Sequence, residues 1–164
     1  MSDLVLDASA ALALLGTDGR TSVSGVLRDR IQAGDRILVS PMFWTRLIDS
    51  LAAQQPPDAI VEAVYELEQL GLETAGVGRP GVLATVDGVG RGLDAHDAAT
   101  LALAESAGAS LLTASPELAA VAGHRAILVG GGRRRRAPRA HRSWTRWKGA
   151  AAYLRQLRAA VDRP

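Results

Sequence analysis

The stretch Leu4-Val5-Leu6-Asp7-Ala8-Ser9-Ala10 decides the fold. Its three leading apolar residues read as a short buried strand, and the chain then passes through Asp7 into an apolar helix, Ala10 to Leu15. A strand that ends in an acidic residue at a strand-to-helix turn is how open α/β sheets present chemistry at their carboxyl edge.

The same alternation recurs outward from this point. Arg28 to Gly34 reads as the end of a second helix, and Arg36-Ile37-Leu38-Val39-Ser40 as a strand stopped by Pro41. Phe43 to Ala53 reads as a helix with Trp44, Leu47, Ile48 and Leu51 on one stripe. Pro56-Pro57-Asp58 breaks it and opens the next helix, Ala59 to Leu70, which Gly71 ends. Residues 76–92 are rich in glycine, with a helical stretch around Val82 to Val89. Asp94 can cap a helix from His96 to Ala107, closed by Gly108. Ala109 to Thr113 is a buried strand, Ser115-Pro116-Glu117 starts a short helix ended by Gly123, and Ala126 to Val129 is the last strand. This order predicts an α/β fold with a central parallel sheet covered by helices.

Composition narrows the chemistry. The chain has 164 residues, 48% hydrophobic and 22% charged, enough for one domain with a real core. It holds no cysteine, which excludes a disulfide scaffold, a cysteine nucleophile and a thiolate zinc site. His96, His124 and His141 lie far apart, so a histidine metal cage is not expected. The first apolar run, Leu4 to Leu15, is interrupted by Asp7 and lacks a basic leader. No targeting or membrane segment is therefore expected, nor a membrane partner, and a cytoplasmic location is. Gly76-Val77-Gly78-Arg79-Pro80-Gly81 fits the G-x-G-x-x-G pattern formally. It reads as a loop, because no strand-to-helix turn is expected around it and Pro80 lacks a backbone donor.

The net charge of +2 conceals a division. Residues 1–132 hold 8 Arg against 16 Asp and Glu, a balance of −8; residues 133–164 hold 10 Arg and 1 Lys against 1 Asp, a balance of +10. The expected organisation is a domain over 1–130 followed by an extension over 131–164 with a glycine hinge, Gly130-Gly131-Gly132. The extension carries Arg133, Arg134, Arg135, Arg136, Arg139, Trp144, Trp147 and Lys148, then an amphipathic helix near Ala150 to Val161. Arginine forks suit phosphates and indole rings can stack on bases, so these residues are candidate RNA contacts. The competing reading folds the basic run over the acidic body of its own or a neighbouring chain.

Asp7 at the end of the first strand, Asp97 in the first turn of a later helix and Ser115 after a later strand would share one edge of a parallel sheet. Converging carboxylates are hard ligands suited to Mg²⁺ or Mn²⁺, and such an ion can activate water and stabilise charge on a phosphodiester. Plainer roles fit the same residues: Asp7, Asp94 and Ser115 as helix caps, and Asp97 as a first-turn acid complementing the helix dipole.

Four segments together resemble the PIN-domain family, in the spacing of its VapC-like toxins. Residues 4–10 look like its opening strand and first acidic motif. Arg36 to Pro41 resembles the strand and proline before its second motif. Asp94-Ala95-His96-Asp97-Ala98-Ala99 resembles its third acidic motif, and Gly108 to Ser115 the strand and turn that follow. The resemblance spans about residues 3–130 and implies a three-layer PIN-like α/β/α fold. It also implies a Mg²⁺- or Mn²⁺-dependent endoribonuclease of a toxin–antitoxin pair, with an antitoxin protein as partner and a homodimer as a common assembly. On that reading Asp7 and Asp97 are the catalytic and metal-holding residues, with Asp94, Ser115 and Ser9 accessory. The family's second acidic residue falls at or near Leu47, its following asparagine at Ser50, and its fourth acidic residue at Ser115. Two of four carboxylates are thus missing, which keeps open an alternative: an inactive PIN-like module that binds RNA or a protein partner.

Overall fold

The computed structural model describes residues 2–16 and 20–130. The strands are β1 (Leu4–Leu6), β2 (Ile37–Val39), β3 (Glu73–Thr74), β4 (Ser110–Thr113) and β5 (Ala126–Leu128). They form one sheet in the order β3-β2-β1-β4-β5, every pair parallel. Val5 stands opposite Leu38 on one side and Leu111 on the other, so β1 is the central strand.

The sheet is buried on both faces, which is why its inner strands are unbroken apolar runs. Leu4, Leu6, Ile37, Val39 and Leu112 share one core with α1 (Ala8–Leu15), α2 (Arg20–Gln32), α3 (Phe43–Ala52) and α4 (Pro57–Glu68). Val5, Leu38 and Leu111 point the other way and share a second core with α6 (Ala95–Ala107) and α7 (Pro116–Ala122). The two-residue period of the strands thus generates the three-layer α/β/α architecture. The helix α5 (Gly78–Gly90) packs along α6, where Gly88 lets the backbones meet: a Cβ there would stand 2.9 Å from the Ala98 Cβ.

From β1 the chain winds outward through β2 to β3, then returns across the sheet to β4 and β5 on the other side. Helices after β1 cover one face, and α7 after β4 covers the opposite face. The turns that leave β1 and β4 therefore diverge, and a crevice opens between them at the carboxyl edge. This switch point places Asp7 and Ser115 together. Among the described residues no helix is long and apolar enough to cross a membrane.

The structure corrects three expectations. On α3 the buried residues are Phe43, Leu47 and Leu51, while Ile48 is 41% exposed; an i, i+4, i+8 stripe faces the core and Ile48 lies beyond its edge. The strand β3 was not expected, because two exposed polar-sided residues on a sheet edge carry no apolar pattern. The glycine-rich motif is not simply a loop: β3 precedes it and Gly78 to Gly81 already belong to α5. Pro80 still removes one donor from that helix start, and Glu73 and Asp3 stand nearby, both paired with Arg36.

Candidate active site

Asp7 is the N-cap of α1, and its side chain is 3% exposed. Three bonds fall on one oxygen, Oδ2. Ser9 N donates to it at 3.2 Å, Thr113 Oγ1 donates at 2.9 Å, and the Ser9 hydroxyl donates as well. The Ser9 Oγ accepts in turn from Ala114 N at 2.9 Å, and Thr113 Oγ1 accepts from Ser115 N at 3.0 Å. The turns after β1 and β4 are thereby tied into one knot, with Ser9 and Thr113 as positioning residues and the Asp7 carboxylate fixed at its centre.

Asp94 is the N-cap of α6 and accepts from Asp97 N at 2.8 Å. That cap places Asp97 in the first turn, on the cleft side. Ser115 caps α7, accepting from Leu118 N at 3.2 Å and donating to Glu117 Oε2 at 3.3 Å. The cleft enclosed by these turns has a volume of about 700 Å³. Asp7, Asp94, Asp97, Glu117, Arg46 and Ser50 contribute to its walls.

The structure thus brings together Asp7, Asp97, Asp94, Ser115 and Ser9. His96 is half-buried on α6 and does not line the cleft. Asp49 does not line it either and is exposed. Arg133, Arg134, Arg135, Arg136, Arg139, Trp144, Trp147 and Lys148 lie outside the described residues.

Two cleft residues were not singled out in the sequence. Glu117 stands two positions beyond Ser115 and returns a carboxylate to that wall. Arg46 reaches the cleft from α3 and pairs with Asp94 at 2.9 Å. The helix face turned to the cleft is therefore Arg46 and Ser50, one turn apart, whereas Leu47 is fully buried in the core. Arg46 therefore brings a positive charge to this wall of the cleft. The four-residue spacing of Arg46 and Ser50 was the available signal.

Electrostatics follow from this crowding. Burial first, then the Asp7 and Asp94 carboxylates, push the Asp97 carboxyl up to about 6 from 3.8; Arg46 opposes the rise and Glu117 adds to it. The folded state consequently holds a proton that the unfolded chain has released over pH 4 to 6, so stability falls as pH rises through that window. Asp97→Asn is expected to flatten this slope in metal-free buffer. It should add about 1 kcal/mol at pH 7, discounted for the half-exposed side chain, and nothing near pH 3.5. Urea denaturation at the two pH values checks it.

Among the described residues no three His, Asp or Glu side chains are grouped to hold a metal ion. Asp7 and Asp97 are hard oxygen donors whose mutual repulsion a cation would relieve, and a pair of carboxylates suits Mg²⁺, which keeps several of its waters. No protein-family model matches the chain, and no curated protein matches it either.

Proposed function

We propose that this domain is a PIN-like endoribonuclease of the VapC-like toxin type, dependent on Mg²⁺ or Mn²⁺. The observation that carries the reading is the meeting of Asp7 and Asp97, 90 residues apart in the sequence, in one cleft at the switch point of a parallel sheet. In this reading Asp7 and Asp97 hold the cation. When bound, such an ion supplies Lewis acidity toward a phosphodiester and lowers the pKa of water.

The chain's own groups do the rest. Ser9 and Thr113 hold the Asp7 carboxylate in one orientation, so none of its alignment is lost on binding. Arg46 keeps Asp94 engaged and offers forked donors to a phosphate oxygen at the cleft mouth. Arg133 to Arg136, Arg139 and Lys148 would track the RNA backbone, and Trp144 and Trp147 would stack on bases. An antitoxin-like protein, a homodimer and a cytoplasmic setting belong to the same proposal.

One observation favours the inactive alternative. Arg46 already places a positive charge where a further carboxylate would strengthen cation binding. The two readings separate when the full chain is incubated with structured RNA and Mn²⁺, with and without EDTA. EDTA-sensitive cleavage supports the enzyme; salt-sensitive RNA binding without cleavage supports the binding module.

A further inference from the structure

The helix α5 holds to the domain by its backbone. Its buried residues are Gly81 and Gly88, so this 13-residue helix sinks no large apolar side chain into a core. Ala84 and Thr85 are half-buried beside them, while Val82, Leu83, Val86 and Val89 stand exposed. It meets α6 by close backbone approach at Gly88, and Arg91, its C-cap, pairs with Glu105 at 3.6 Å. An exposed ion pair adds little. Burial of apolar area, the main source of hold between packed elements, is small here.

Undocked, α5 would not persist as a helix. Helices of this length are marginal in water even when rich in alanine. Gly78, Gly81, Gly88 and Gly90 weaken this one further, since each interior glycine shifts the equilibrium about fivefold against the helix relative to alanine. Undocking is therefore unwinding.

The end of α5 is also a wall of the cleft. Gly92 has a φ of +92°, its N–H donates to Val89 O at 3.0 Å, and Leu93 N donates to Gly88 O at 3.2 Å. This glycine cap exists only while the last turn of α5 exists. Gly92 and Leu93 both line the cleft, directly before Asp94. The next helix does not share this dependence. Leu101, Leu103 and Ala104 root α6 in the second core, and Ala98 N closes its first turn on Asp94 O at 2.9 Å.

We propose that α5 and its C-cap form a strap that unwinds as one unit while the sheet, α6 and the knot around Asp7 stay folded. Unwinding frees Gly92 and Leu93 and slackens that wall, so the cleft widens for a bulky ligand, whatever its class, without loss of the domain.

Native-state hydrogen exchange of the full chain, resolved by amide, is the test. Amides 82–93 should be at least about a hundredfold less protected than 111–112 in β4, and their exchange should hardly respond to low urea, since little surface opens. In Gly88→Ala, whose Cβ would meet the Ala98 Cβ at 2.9 Å, amides 82–93 should exchange within about tenfold of unstructured rates while 101–104 and 111–112 stay protected. Gly90 has open space, so Gly90→Ala should slow exchange of 82–93 about two- to fivefold; Gly25→Ala, equally open on α2, should leave it unchanged. Protection of 82–93 equal to that of β4 in the unaltered chain overturns the proposal. So does a Gly88→Ala variant that leaves 82–93 protected or deprotects all these amides together, and so does a Gly25→Ala effect as large as that of Gly90→Ala. Gly92 and Leu93 amides that stay protected while 82–91 exchange would overturn the link to the cleft.

Discussion

Asp7→Asn is expected to reduce Mn²⁺-dependent RNA cleavage at least about a hundredfold while leaving the fold nearly as stable as before. The two roles of this side chain lie on different parts of its chemistry. As a cap and knot it receives three bonds on Oδ2 from Ser9 N, the Ser9 hydroxyl and Thr113 Oγ1. An asparagine carbonyl can accept the same bonds, and Asn caps helices about as well as Asp. As a cation ligand it supplies charge, which Asn removes, leaving one carboxylate of the pair. Thermal melts and cleavage assays on the same preparation separate the roles. Unimpaired cleavage with an unchanged melt would remove Asp7 from the active site.

The second large effect concerns α3. Leu47→Glu is expected to destabilise the domain by at least about 4 kcal/mol, because it both removes a leucine from a packed core and buries a carboxylate there. Arg46→Glu, one residue earlier, should cost no more than about 1 kcal/mol, since its pair with Asp94 is exposed. It should also tighten Mn²⁺ binding about tenfold, by replacing a positive charge at the cleft with a ligand charge. Chemical denaturation and titration calorimetry read the two quantities. A stable Leu47→Glu variant with tighter Mn²⁺ binding would mean that Leu47, not Arg46, addresses the cleft.

The legible parts of this fold were those with a strong local signal. Leu4-Val5-Leu6 before Asp7 marked the central strand, and Asp94 with Gly108 marked both ends of α6 because cap chemistry is local. The meeting of Asp7, Asp97 and Ser115 followed from parallel topology alone. What sequence could not supply was side-chain direction within a helix. The resemblance to PIN domains points to Leu47 on α3, yet the cleft sees Arg46 and Ser50, a rotation of about 100°. Glu117 was hidden for a related reason: the first turn of α7 carries it back over the cap residue Ser115. The strand β3 escaped because its pairing to Leu38 and Val39 is entirely backbone.

The knot around Asp7 and the crowding around Asp97 imply opposite fates under mutation and selection. Asp7 caps a helix and joins two turns, so folding alone asks for a side-chain carbonyl oxygen there, which Asp or Asn supplies. Burial and the neighbouring carboxylates raise the Asp97 carboxyl, so a neutral replacement there is expected to gain stability at neutral pH. Of the two aspartates, Asp97 is therefore the one that the packing and capping of the fold do least to retain.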